Sequence, residues 1–303
     1  MQPLNRRDAI KKGGRLFLGA SACFLIPGFG SGCSQRKVDT ELAGKLMRET
    51  KKAKADDIQI TIIYDNVPYK QGLRTDWGFS CLVEGLDKTI LFDAGRYDDI
   101  FLSNLSKLNL DLNRIDELFL SHDHPDHVGG VMKVLDARPD INISLVESFP
   151  WGFKKAIGKG GGQVRETDCP CTISAKCLST GEMNSAVKNE QALIIPTDQG
   201  SIILTGCAHP GVVDIVEQTK TITRQDILLV AGGFHLLMDD ASSIRKKAQR
   251  LKQLGVRNVA PSHCTGGEAI GILAEVFGNR FLESGVGRVL TVNELDLSPV
   301  TIA

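Results

Sequence analysis

All six histidines of this 303-residue chain fall in short metal-competent motifs, and three of them share one six-residue run. The run is His122-Asp123-His124-Pro125-Asp126-His127. The others sit in Thr-Gly-Cys-Ala-His-Pro-Gly (His209), Ala-Gly-Gly-Phe-His-Leu (His235) and Pro-Ser-His-Cys-Thr-Gly (His263). Neutral imidazole is the commonest protein ligand for zinc and similar divalent ions. Histidines scattered for core or surface duty would not each lie beside Gly, Pro, Cys or Asp. The chain is therefore expected to fold so that four loops assemble one metal centre.

The local geometry of the run supports this. An apolar stretch, 117–121, reads as a short strand leading straight into it. Alternate residues of a strand share a direction, so His122 and His124 point to one side. The chain then turns at Pro125, and Asp126 and His127 face a second position. Nitrogen donors at one position and a carboxylate plus nitrogen at the other suit Zn²⁺, and also Mn²⁺ or Fe²⁺.

Beyond 57 the chain alternates strands and helices. Strands are predicted over 58–64, 79–84, 89–92, 117–121, 143–147, 192–196, 201–205, 227–230, 256–260 and 289–292. Helices are predicted over 98–108, 127–135, 212–219, 241–254 and 268–277. Residues 85–88 read as a hairpin turn. Hairpins mixed with strand–helix units imply mixed sheets with helices outside them. The stretch 149–190 breaks this rhythm with Gly158, Gly160, Gly161, Gly162 and the cysteines Cys169, Cys171 and Cys177, and is expected to be an insertion over the site. Disulfide, metal or iron–sulfur roles all remain open for those cysteines. Cys81, inside a strand pattern, reads as a small buried hydrophobe.

Residues 1–33 read as an export signal. Arg6 and Arg7 precede an apolar stretch, 16–27, about half the roughly 20 residues of a spanning helix. The Arg pair resembles the twin-arginine signal. Gly30-Ser31-Gly32-Cys33 resembles a lipoprotein cleavage box, with Gly30 where Leu is usual. The expected product is periplasmic, either cleaved plainly or lipid-anchored through Cys33, which would be its one membrane contact. Residues 34–57 are expected to be a charged, Lys-rich spacer or an exposed helix. Lys plus Arg and Asp plus Glu both number 36, and no long like-charge run occurs. A nucleic-acid partner thus has no electrostatic support, and a small molecule is the expected substrate.

The strand-end His-x-His-x-Asp-His run, an upstream Phe-Asp-Ala-Gly, and later Gly-Cys-x-His and Ser-His-Cys resemble the metallo-β-lactamase superfamily over essentially all of 58–303. The wording of Gly-Phe-Ser-Cys-Leu-Val-Glu, Gly-Gly-Phe-His-Leu and Pro-Ser-His-Cys-Thr-Gly is similar to its dihydropterin ribofuranosyl-aminobenzene phosphate synthase-like branch. That label names a cytoplasmic pterin step, which fits an exported chain poorly, and a fold does not fix a substrate. The resemblance implies an α/β (α+β) fold, a four-layer αββα sandwich of two mixed sheets flanked by helices. It implies one or two divalent ions, Zn before Fe or Mn, with a metal-bound hydroxide as attacking group. His122, His124 and His209 would hold the first ion; Asp126, His127 and His263 the second. Asp126 and His235 are assigned catalytic roles, His235 toward substrate or proton, or as a replacement ligand. Asp93 would orient a ligand imidazole from behind, or else cap a turn.

One departure stands out. Many relatives carry a bridging aspartate in a Gly-Asp turn where this chain has Gly206-Cys207. Cys207 is either a thiolate ligand or a core residue behind the site with the bridge lost. The second is favoured, because a thiolate binds soft metals tightly and would resist turnover. Lys70 and Arg74, in the loop before Phe79, are candidates to hold a substrate anion. Asp123 is expected to stabilise the motif loop. The function expected is a metal-dependent hydrolase of an ester, lactone or phosphoester. The alternative is a non-hydrolytic metal protein, diiron-type redox or ligand-binding.

Overall fold

The computed structural model describes residues 38–299. The export signal, Cys23, Cys33 and the start of the 34–57 segment lie outside them. In chain order the first half runs α1 (Thr40–Glu49), β1 (Gln59–Tyr64), β2 (Ser80–Glu84), β3 (Ile90–Phe92), α2 (Asp98–Lys107), β4 (Glu117–Phe119), α3 (Pro125–Val128), α4 (Val131–Ala137), β5 (Asn142–Leu145), α5 (Trp151–Lys159) and β6 (Gln163–Glu166). The second half runs β7 (Cys171–Ser174), β8 (Cys177–Ser179), β9 (Leu193–Thr197), β10 (Gly200–Thr205), α6 (Val212–Thr223), β11 (Ile227–Gly233), α7 (Ala241–Gln253), β12 (Val256–Ser262), α8 (Gly267–Phe277) and β13 (Val289–Thr291).

The strands form two mixed sheets, ordered β13-β1-β2-β3-β4-β5-β6 and β12-β11-β10-β9-β8-β7. Each sheet is apolar on both faces, as buried sheets require. Along β2, Cys81 and Val83 point between the sheets while Leu82 points outward. The inner faces meet through Ile60, Phe79 and Phe92 from one sheet and Leu193, Ile202 and Leu204 from the other. α2, α4 and α5 cover the outside of the first sheet, α6, α7 and α8 that of the second. This is the expected four-layer αββα sandwich.

One expectation needs correction and another a refinement. Residues 149–190 are not an insertion laid over the fold. They supply α5, then β6, which extends the first sheet parallel to β5, then β7 and β8, which extend the second. The glycines that obscured this pattern make a tight reversal: Gly161 sits at φ 94°, with Pro139 O 2.5 Å from where a Cβ would lie. For the described part of 34–57 the helix alternative holds, but the helix is docked rather than free-standing. α1 is capped by Asp39, which accepts from Leu42 N, and buries Leu46 against Leu178, Ile194 and Ile222. Ala53 N then donates to Pro196 O.

What positions the site is strand direction. In the first sheet β1, β3 and β4 end at one edge, and in the second β10, β11 and β12 do; contacts across the sheets, such as Cys207 Sγ to His127 Nε2, bring these two edges together. Loops leaving the carboxyl ends of such strands form the usual ligand crevice of α/β sheets.

Candidate metal centre

Every metal-competent motif follows one of those strand ends. β4 delivers Ser121 to His127, β10 delivers Gly206 to His209, β11 delivers His235, and β12 delivers His263 and Cys264. Four non-glycine residues here sit in the left-handed region: Asp93 (φ 52°), Ala208 (59°), His235 (51°) and His263 (51°). Such conformations cost of order 1–3 kcal/mol each and cluster where surroundings impose a functional geometry.

Among the described residues the donor atoms form five overlapping triads; three contain Cys207, with His122 and His127, with His209 and His235, and with His263 and Cys264, and the other two are the expected sets. His122, His124 and His209 offer donor atoms within 4.8 Å of one another, and so do Asp126, His127 and His263. In the first group, His122 Nε2 lies 3.1 Å from His124 Nδ1, and the His209 ring centre is 4.7 Å from that of His122. In the second, Asp126 Oδ2 lies 3.6 Å from His127 Nε2 and 3.5 Å from His263 Nε2. No such group among the described residues includes Cys169, Cys171 or Cys177.

Four of the rings are aimed by a partner on the far nitrogen. Asp93 Oδ2 is 2.7 Å from His127 Nδ1, Glu190 Oε2 is 2.7 Å from His209 Nδ1, Asn66 Oδ1 is 2.8 Å from His263 Nδ1, and Ser121 Oγ is 2.9 Å from His122 Nδ1. Each contact leaves Nε2 facing the cluster, the usual arrangement behind metal-binding histidines. The donor set therefore fits a divalent ion at either position. Asp93 is itself fixed by Ser121, whose N–H and hydroxyl both donate to it.

The electrostatics agree. Burial, then the neighbouring imidazoles, push His122 and His263 well below the usual histidine range, so both are neutral donors at neutral pH. Burial opposes charge on His127 most strongly, but the carboxylates of Asp93, Asp126 and Glu190 together outweigh it and hold His127 up at about 9. His127 is thus protonated below about 9, and a metal must displace that proton. Apparent metal affinity should rise at least about tenfold per pH unit from about 7 to 9. Calorimetric metal titrations in buffers of different ionisation enthalpy check this; no proton release over that range would contradict it.

The remaining expected residues are placed as follows. His235 is exposed at the mouth, its ring centre 4.5 Å from that of His209. Asp123 is paired with Lys188 at 2.5 Å on the rim. Cys207 Sγ lies inside the cluster, 3.3 Å from His127 Nε2 and 3.4 Å from His263 Nε2, rather than behind it. Arg74 is held away by an ion pair with Asp99 at 2.8 Å, and Lys70 is exposed with its N–H on Val286 O.

Sequence reading passed over Glu190, which is wholly buried and accepts the N–H groups of Gly206, Cys207, Ala208 and His209. It also passed over Asp65 and Asn66, although an Asp-Asn pair closing a β-branched run was a usable signal. Gly206 shows how tight the assembly is: a Cβ there would lie 2.1 Å from Ser121 Oγ and 3.0 Å from Asp93 Oδ2. Gly206→Ala should displace Ser121, cost about 1–3 kcal/mol of stability and weaken metal binding about 10–100-fold. Melting curves and chelator competition measure both, and wild-type values in the two assays would refute the account.

Residues 78–219 match the model of the metallo-beta-lactamase superfamily. That segment spans β2 to α6 and includes the His122–His127 run, Cys207 and His209. The 7,8-dihydropterin-6-methyl-4-(beta-D-ribofuranosyl)-aminobenzene-5'-phosphate synthase of Methanocaldococcus jannaschii is 29% identical over 286 residues, covering 78% of this chain and 97% of that protein. A crystal structure described as a metal-dependent hydrolase of the beta-lactamase superfamily is 25% identical, covers 77% of this chain and 98% of its own, and superposes with a TM-score of 0.65. The metallo-beta-lactamase fold protein YhfI from Bacillus subtilis, 17% identical over 77% and 98% of the two chains with a TM-score of 0.59, shares the fold.

Proposed function

The chain carries a metallo-β-lactamase superfamily domain, and from that premise we propose a metal-dependent hydrolase acting on an ester, lactone or phosphoester. The observation that carries the reading is the pair of donor groups, their rings aimed by Ser121, Asp93, Glu190 and Asn66. His122, His124 and His209 would hold one ion, and Asp126, His127 and His263 the other. When bound, divalent ions polarise a carbonyl or phosphoryl group and make water acidic enough to attack near neutral pH.

This chain's own residues supply access and proton handling. His122, His127, His209 and His263 close the inner side, their rings fully or nearly buried, while His124 and Asp126 are partly open. A substrate therefore enters from the side of His124 and His235. Trp77, 40% exposed and 5.0 Å ring to ring from His263, limits water on the opposite flank. His235, hydrogen-bonded to Cys264 and so raised above the usual histidine range, is placed to give a proton to a departing group.

Elemental analysis of the purified protein, with turnover assays on chromogenic phosphodiesters, esters and lactones, tests the reading. One to two equivalents of Zn, Fe or Mn and metal-dependent turnover of one class are expected; under half an equivalent would sink it. The Methanocaldococcus relative's name favours a second reading, synthase chemistry on a phosphorylated substrate, and metal without turnover of any ester class would turn the balance to it.

We also propose export through the twin-arginine route, supported by Arg6-Arg7 ahead of the apolar stretch 16–27. Replacing both arginines by lysine should leave the precursor in the cytoplasm, and unchanged export would overturn the proposal.

A further inference from the structure

Cys207 is buried, 4% exposed, yet it belongs to none of the apolar clusters, whereas its neighbour Ala208 and the buried Cys81 and Cys177 do. What surrounds its sulfur is polar. Sγ lies 3.3 Å from His127 Nε2 and 3.4 Å from His263 Nε2. Those two nitrogens are the same atoms that Asp126 Oδ2 approaches at 3.6 and 3.5 Å. The other nitrogen of each ring is already taken, by Asp93 and Asn66 respectively.

These separations carry information about what they surround. With metal bonds of about 2.0–2.1 Å to nitrogen, 2.0–2.2 Å to oxygen and 2.3 Å to sulfur, a tetrahedral ion sets its donors about 3.3–3.6 Å apart. All four distances fall within that range. Hydrogen bonds between the thiol and the rings have separations of the same size; what points to a shared ion is that the sulfur and a carboxylate oxygen converge on the same two inward-facing nitrogens.

The backbone is built to keep it there. Cys207 N donates to Glu190 Oε1 at 2.8 Å, and Ala208 turns the chain through the left-handed region. On one side Gly206 lies against Ser121. On the other, Gly233 passes so close that a Cβ would meet Gly206 O at 2.4 Å and Cys207 Cα at 3.2 Å. The sulfur is thus presented by a segment clamped from both flanks.

We infer that Cys207 is a thiolate ligand of the ion held by Asp126, His127 and His263. The inference rests on the metal-centre reading proposed above. Binding forms a metal–sulfur bond and releases the thiol proton to solvent. The expectation that a thiolate would freeze turnover applies to a centre in which it saturates the working ion. Here the sulfur completes the second position, while His122, His124 and His209 supply three donors to the first and leave it an open place, as catalytic sites have. A thiolate in the set also narrows the metal: it favours Zn, Fe or Co over Mg, Ca or Mn.

X-ray absorption on the zinc-loaded full-length protein tests this without reference to activity. A sulfur shell at about 2.3 Å is expected in the wild type and in Cys264→Ser, and its loss in Cys207→Ser. Cobalt-loaded protein should show a thiolate-to-metal charge-transfer band with the same dependence. Metal bound with only nitrogen and oxygen neighbours in the wild type would overturn the inference and leave the hydrolase reading standing. A sulfur shell that survives Cys207→Ser, or vanishes in Cys264→Ser, would reassign the ligand and overturn it as well. Failure of the wild type to hold metal would remove the centre itself and both readings with it.

Discussion

Glu190→Ala is expected to cost about 3–5 kcal/mol, the range for stripping one partner from a buried charged pair. Glu190 Oε1 accepts the N–H groups of Gly206, Cys207 and Ala208 at 3.1, 2.8 and 2.9 Å, and Oε2 accepts His209 N and faces His209 Nδ1 at 2.9 and 2.7 Å. Its removal leaves a buried loop with four orphaned donors, each costing about 1–3 kcal/mol before relaxation and water entry. Thermal melting should fall by about 10 °C. Glu190→Gln separates fold from metal. An amide oxygen turned to the loop keeps three of the N–H bonds, but its NH₂ then meets His209. A donor there forces Nδ1 to accept and puts the ring proton on Nε2, the atom that must bind the ion. Glu190→Gln should therefore stay much closer to wild type in melting yet lose metal from the first position about 10–100-fold. A Gln variant that keeps full metal affinity would show that Glu190 holds the loop and nothing more.

Glu190 also marks where sequence reading ran out. The ligand candidates were legible because imidazoles at a strand end, beside Gly, Pro and Asp, have few other uses. A mixed sheet arrangement with outer helices was legible because hairpins and strand–helix units alternate; that the strands divide into two sheets came from the family resemblance. Glu190 had no such signature: its partners are backbone N–H groups contributed sixteen to nineteen positions downstream, and no side-chain pattern announces them. The 149–190 stretch misled for a related reason. β6 has no buried residue along Gln163–Glu166, so it lacks the apolar alternation that marks a strand, and only its pairing with β5 makes it one.

His124→Ala and His235→Ala should part company in a way that tests the whole assignment. His124 Nδ1 faces His122 Nε2 at 3.1 Å, and the His124 ring lies 5.0 Å from that of His209. Removing it takes one of three donors from the first position, so metal and turnover should both be lost. His235 stands outside that set. It follows Gly232, where a Cβ would lie 2.0 Å from Thr205 O, so the backbone passes close under the cleft before the ring turns out beside His209. His209 itself is aimed inward by Glu190, which fills the third place at the first ion without His235. His235→Ala should therefore keep its metal and lose turnover by about 10²–10⁴-fold, the usual weight of a positioned proton donor. Metal content and rate measured on both proteins decide between the roles. If His235→Ala sheds metal as His124→Ala does, then His235 is a ligand, the Glu190 contact is holding His209 away from the ion, and the first donor set must be redrawn as His122, His124 and His235.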